Sequence, residues 1–182
     1  MTHREGNRSF KEKYKIYFAA GITAWIIFMF IHPIGITGDA MSPTLEEGQI
    51  AIVSKENFSR EAPRVFSVVN FQHDFSNEGE KNSNKVRRVV GIPGDTIEIV
   101  DNILYVNGIE QNEPYARIDP FEKMVINRNL QKIDVQAGQL FVMGDNRGHS
   151  MDSRDFGVIN RSWVEGKAVF RIIPFSKFGN LE

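Results

Sequence analysis

The 182-residue chain contains no cysteine. Disulfides, thiolate nucleophiles and cysteine-based zinc sites are therefore excluded, and stability must come from packing. An excess of charge of one sign is missing too. Lys and Arg number 22 against 23 Asp and Glu, a net charge of −1, without the basic surplus that marks a nucleic-acid binder, so no nucleic-acid partner is expected. His3, His32, His73 and His149 lack metal-ligand spacing, so neither a metal nor any other cofactor is expected. No internal repeat or heptad pattern is present, which sets aside solenoids and coiled coils. Hydrophobic residues make up 41% of the chain, enough for one domain with a real core or two small subdomains sharing one, and too much for general disorder.

Residues 16–31 carry no charge and include Phe18, Trp25, Ile26, Ile27, Phe28, Met29 and Phe30. At about 1.5 Å of rise per residue a membrane-spanning helix needs ~20 residues. Residues 14–36 supply that length if Lys15 snorkels and His32 and Pro33 lie near the far interface. No small-residue cleavage pattern follows, so an anchor is preferred to a removable signal peptide. The preceding segment holds Arg4, Arg8, Lys11, Lys13 and Lys15 against Glu5 and Glu12, and positive flanks stay cytoplasmic. The expected organisation is a cytoplasmic basic tail (1–15), a transmembrane anchor (16–36) and an extracytoplasmic domain (37–182), a single-pass type II protein of the cell membrane.

Beyond the anchor the periodicity is short and β-like. Strands are expected at 50–53, 65–71, 86–90, 96–100, 103–106, 139–143 and 167–173, each rich in Val, Ile or Phe and bounded by turn residues. Pro93-Gly94, Asp101-Asn102 and Asn107-Gly108 mark turns in a meander of hairpins. The polar stretch 72–84 suits an exposed loop, and 111–136 an irregular excursion from the main sheet. The fold class expected is mostly β, antiparallel sheet following an N-terminal transmembrane helix.

Three motifs carry the functional reading. Gly38-Asp39-Ala40-Met41-Ser42-Pro43-Thr44-Leu45 lies just after the apolar run. Val86-Arg87-Arg88-Val89-Val90-Gly91-Ile92-Pro93-Gly94-Asp95 follows, and then Gly144-Asp145-Asn146-Arg147-Gly148-His149-Ser150-Met151-Asp152-Ser153-Arg154-Asp155-Phe156-Gly157. In order and content these blocks resemble the type I signal peptidases (S26) of the Gram-positive type. A further family block, usually Gly-Asp before an apolar strand, is blurred to Phe66-Ser67-Val68-Val69. The resemblance implies a serine endopeptidase fold in two antiparallel sheet regions. It also implies that Ala40 stands where a nucleophilic serine would, and Arg87 where a general-base lysine would.

That chemistry needs a hydroxyl nucleophile and an amine of lowered pKa. Ala40 offers a methyl group, and a guanidinium, with a pKa above ~12, cannot serve as a base. No intact catalytic residue is therefore expected. The family resemblance leaves Gly38, Met41, Ser42, Pro43, Asp145, Arg147, Ser150, Asp152 and Arg154 as cleft or site support. Backbone N–H groups near Gly38 and Ala40 can still form an oxyanion hole, and strand edges can pair with an extended peptide. Asp145, Arg147, Asp152 and Arg154 read as a salt-bridged core support, Ser150 as facing Arg87 or water, and Arg87 as a fork for a carboxylate or a bound peptide carbonyl. Met41 reads as packing or membrane contact, and Trp163 as core or edge packing.

The leading expectation is a pseudoenzyme, a membrane-held binding or assembly factor for exported proteins or signal-peptide segments. It is similar to the signal-peptidase-like proteins encoded beside pili in some Gram-positive bacteria, which makes pilin subunits candidate partners. The rival is an active signal peptidase that removes signal peptides with displaced groups, Ser42 and Lys85. Each lies two residues from the motif position, nearly 7 Å along a strand, where a 1 Å misplacement already costs about a hundredfold in rate.

Overall fold

The computed structural model describes residues 13–23, 25, 31–55, 63–75, 80–118 and 129–181. Residues 13–23 and Trp25 are helical and exposed. Among the described residues no helix is long and apolar enough to cross a membrane. Residues 24 and 26–30 of the expected anchor, and 1–12 of the expected tail, lie outside the described residues. The end of the expected span is not helical: Ile31–Gly35 is a strand, β1. Pro33 accounts for this, since proline breaks an interior helix yet is tolerated on an edge strand, and β1 stands at the end of its sheet.

The remaining elements build two antiparallel sheets. The larger comprises β1, β2 (Ile50–Ser54), β3 (Val68–Phe75), β4 (Glu80–Gly91), β9 (Gln139–Met143), β10 (Ile159–Asn160), β11 (Val164–Ile173) and β12 (Gly179–Asn180). Its order is β1-β2-β11-β3-β4-β9-β10, with β12 on β11. The smaller is β7-β6-β5-β8, formed by β5 (Thr96–Val100), β6 (Ile103–Val106), β7 (Ile109–Glu110) and β8 (Leu130–Asp134).

Turn chemistry sets the registers. Asp101 and Asn102 both adopt positive φ (50° and 66°), as do Asn107 and Gly108 (55° and 77°). These are the two-residue connections that match strand twist, and they pair Val100 with Ile103 and Val106 with Ile109. Gly94, at φ 96° after Pro93, closes the turn that carries the chain from β4 into the smaller sheet. There the Ile92 N–H donates to an Asp95 carboxylate oxygen at 3.0 Å.

Two expectations change. The stretch 72–84, read as a loop, is largely the hairpin arms of β3 and β4, with Gln72 opposite Asn84 and His73 opposite Ser83; residues 76–79 lie outside the described residues. The excursion at 111–136 contains β8, with 119–128 outside the described residues. The strand expected from Val65 begins only at Val68 because Phe66 sits at φ 70°, a left-handed backbone that cannot continue a ladder.

Three apolar clusters hold the sheets. One joins Met41, Leu45, Val53, Val68, Val86 and Ala168; a second joins Val69, Phe71, Val89, Leu140 and Ile159. The third packs Val90, Phe141 and Met143 against Ile97, Ile99 and Leu104 of the smaller sheet. β4 contributes to all three through Val86, Val89 and Val90, which fixes the segment bearing Arg87 and Arg88.

Candidate active site

The three motifs meet at Asp145. Its side chain is almost fully buried, and Arg88 addresses it bidentately, Nε to Oδ1 at 2.8 Å and Nη2 to Oδ2 at 2.6 Å. The Thr44 hydroxyl also donates to Oδ2. The remaining Arg88 nitrogen donates to the Phe66 carbonyl at 2.7 Å, and the guanidinium lies 4.1 Å from the Tyr115 ring centroid. Thr44, Arg88 and Asp145 come from the first, second and third motifs. One buried charge pair with a hydroxyl therefore locks the three together, and desolvation makes that lock unforgiving of a missing partner.

Above this lock the first motif leaves β1 and turns back. Gly38 takes φ 71°, the Ser42 N–H donates to the Asp39 carbonyl at 2.9 Å, and the Leu45 N–H to the Met41 carbonyl at 2.9 Å. Met41 and Leu45 are core residues, so Met41 packs. Ala40 is fixed through its carbonyl, which accepts from the Asn146 N–H at 3.0 Å. The Asn146 amide also reaches Asp39. Gly144 must be glycine here, because a Cβ would fall 2.5 Å from the Ala40 carbonyl oxygen and into the Ser150 hydroxyl.

A cleft of about 570 Å³ opens between these segments, lined by residues 33–41, by Asn70, by residues 84–87 of β4, and by His149 and Met151. Ala40, Arg87 and Lys85 all border it; Ser42 does not. His149 Nδ1 stands 3.3 Å from Asp39 Oδ2 at its rim, both about half exposed. Among the described residues no backbone carbonyl accepts from the Ala40 N–H.

Arg87, opposite Val69 in the ladder, is 7% exposed. Its Nε and Nη2 donate to the Met151 carbonyl at 3.0 and 2.8 Å, and Nη1 to the Val86 carbonyl at 2.6 Å. Burial pushes its pKa below the usual value; the charge of Asp152 opposes this and that of Arg154 adds to it. A guanidinium stays protonated at neutral pH despite such a shift.

Beneath Arg87, Asp152 caps the short helix α1 (Ser153–Phe156) in a capping box with Asp155. Arg154 grips the Asp152 carboxylate with two bonds of 2.7 Å, and the Gly144 N–H donates to it at 2.9 Å. Burial alone would raise the Asp152 carboxyl. The bonds and charge of Arg154, with Gly144 and Ser150, outweigh it and hold the carboxyl below its ordinary range. Ser150 itself is buried, at 2% exposure.

The structure brings Gly38, Ala40, Met41 and Arg87 to the cleft and sets Asp145, Ser150, Asp152 and Arg154 behind it. Pro43 is exposed and Ser42 half-buried on the following turn. Of the four charged residues that the sequence reading grouped as a support, Asp152 and Arg154 pair with each other. Asp145 pairs with Arg88, and Arg147 with Glu113, whose charge raises the Arg147 pKa against the burial that lowers it. Arg88, Glu113 and Gly144 were not singled out from the sequence. Glu113 lies in a stretch without periodicity and gave no signal; Arg88 and Gly144 are motif positions whose role needs the third dimension.

The site is thus a cleft bordered by β1 and β4, with the three motifs tied beneath it. The family model for signal peptidase, peptidase S26, matches residues 10–173, and the chain belongs to that family. It is 36% identical over 162 residues to signal peptidase I of Bacillus caldolyticus, covering 84% of both chains. To signal peptidase IB of Staphylococcus aureus (strain COL) it is 34% identical over 172 residues, covering 87% of both. The crystal structure of a signal peptidase I from Enterococcus faecalis V583 shares 30% identity at a TM-score of 0.44, covering 59% of this chain and 97% of that one.

Proposed function

We propose that this signal peptidase family member is non-catalytic: a protein of the cell membrane, anchored through the apolar run that precedes β1, that holds an extended segment of an exported polypeptide, pilin subunits among the candidates, without cutting it. One observation carries the reading. The two positions that the family motifs assign to nucleophile and base border one cleft as Ala40 and a buried Arg87. A methyl group cannot attack a carbonyl, and a guanidinium already donating to the Met151 and Val86 carbonyls cannot accept a proton. The cleft's bordering strand β1 offers an edge to which an extended chain can add.

The rival reading, turnover by displaced Ser42 and Lys85, has one point in its favour, since Lys85 also borders the cleft. Ser42 does not, and its backbone is tied to Asp39 in the turn. The test is photo-crosslinking of the full-length protein, reconstituted in lipid, to a secretory preprotein carrying a crosslinker beside its cleavage site. A crosslinked adduct of full preprotein length is expected. Adducts shortened by the mass of the mature chain, lost on Ser42→Ala, would refute the proposal.

A further inference from the structure

Phe66 holds a backbone conformation, φ 70°, that glycine adopts freely and a bulky side chain adopts only at a cost. Its backbone is pinned without help from the ring: the N–H donates to the Val89 carbonyl at 2.7 Å, and the carbonyl accepts from Arg88 Nη1 at 2.7 Å. The ring joins none of the three apolar clusters and is 37% exposed. Core packing therefore does not account for an aromatic residue at this strained position, and strain of this kind concentrates at ligand sites. The ring instead walls a second cavity, of about 430 Å³, that shares no lining residue with the cleft. Val65, Pro114 and Tyr115 line it beside Phe66, together with Arg64 and Arg88. Its two aromatic rings lie 5.8 Å apart at 51°. Tyr115 is fixed twice, by its hydroxyl donating to Glu113 at 2.8 Å and by the Arg88 guanidinium 4.1 Å from its ring centroid. The pocket is thus formed before anything enters it.

The charges around this cavity leave one sign uncovered. Arg88 is spent on Asp145, and Glu113, between the lining residues Asn112 and Pro114, is spent on Arg147 with its side chain 7% exposed. Arg64 is exposed and makes no ion pair among the described residues. Asn112, also exposed, supplies a carboxamide at the edge, with donors and an acceptor for a peptide group. We propose that this cavity is a docking site for a partner protein, which inserts one aromatic side chain and sets a neighbouring Asp or Glu against Arg64. The tilt between Phe66 and Tyr115 offers an entering ring edge-to-face contact. An aromatic anchor in a preformed apolar pocket, with charge pairing at the rim, is the form in which protein interfaces concentrate their affinity. The site stands whether the cleft cuts a peptide or only holds one, since the two have no lining residue in common.

Fluorescence anisotropy on the full-length protein in detergent tests this with labelled dodecapeptides of Gly and Ser that differ only at the centre, which is Phe-Asp-Glu, Ala-Asp-Glu or Phe-Asn-Gln. The Phe-Asp-Glu peptide should bind saturably, about tenfold or more better than Ala-Asp-Glu. Its advantage over Phe-Asn-Gln should shrink as salt is raised and vanish in Arg64→Gln. Glycine suits the φ at position 66, so Phe66→Gly should still unfold cooperatively while losing the preference for Phe over Ala. The peptide ratios on the unaltered protein need no variant to fold. Binding of Phe-Asp-Glu no better than Ala-Asp-Glu, or a preference that survives Phe66→Gly, would overturn the docking site. Equal affinity for Phe-Asn-Gln at low salt would overturn the acidic character of the partner. Displacement of the peptide by phenylacetate at equal affinity would make the cavity a small-molecule site and overturn the protein partner.

Discussion

Replacing Asp145 by alanine removes the group on which the three motifs converge. Arg88 then loses two short charge-assisted bonds and keeps only the Phe66 carbonyl, the Thr44 hydroxyl and the Tyr115 ring. The Arg88 side chain is 6% exposed, so water cannot replace the carboxylate. Breaking a buried pair from one side costs about 3–5 kcal/mol, and the orphaned Thr44 hydroxyl adds roughly 1 kcal/mol. Against a typical total of about 5–15 kcal/mol, that is a large share. At roughly 2–4 °C per kcal/mol for a domain of this size, Tm should fall by about 10 °C or more. The assay is thermal and urea unfolding of the full-length protein in detergent, followed by near-ultraviolet circular dichroism. Adding Arg88→Met to Asp145→Ala should recover part of the loss, because the uncompensated charge goes with it. A loss below about 1 kcal/mol, or a double variant no better than the sum of its parts, would refute the assignment of Asp145 as the junction.

Gly144→Ala should lower stability by about 1–3 kcal/mol or more, because its Cβ meets the Ala40 carbonyl and Ser150; urea unfolding reads this. Asp152→Asn should flatten the acid limb of the stability curve. The folded-state pKa of Asp152 is depressed, so its contribution is complete above the unfolded value near about 3.9 and is lost as pH falls through the folded value. The gap between parent and variant should therefore be full at pH 7 and close below about pH 4. Glu113→Ala, which strands the buried Arg147, should cost roughly 3 kcal/mol. Lys177→Ala, which breaks a half-exposed pair with Glu46, should leave Tm unchanged within error.

Strands β5, β6 and β9 were legible to the residue because each is a Val, Ile, Leu or Phe run stopped by residues that need a turn. The polar arms of β3 and β4 were not, since a two-stranded ribbon needs only backbone pairing and its sequence, residues 72–84, carries no apolar alternation. β8, with mixed polar positions and one bulged partner, hid for the same reason. Ala40 and Arg87 were found from motif spacing, and both border the cleft. Which arginine serves which carboxylate could not be read: Arg88 and Asp145 are 57 residues apart, and nothing in the third motif marks Arg147 as the partner of Glu113. Phe66 shows how a blurred motif reads in three dimensions. It occupies a left-handed position suited to glycine, held by its bonds to Val89 and Arg88 and its contact with Tyr115.

The proposal that the chain lacks serine–lysine chemistry is tested most directly by single-turnover cleavage of a secretory preprotein, with the reconstituted full-length protein in excess and products read by mass spectrometry. The native chain should yield no mature product over hours, and neither Ala40→Ser nor Arg87→Lys alone should yield any. The double variant Ala40→Ser/Arg87→Lys is the one form in which turnover is expected. Mature product from the native chain, abolished by Ser42→Ala or Lys85→Met, would contradict the account.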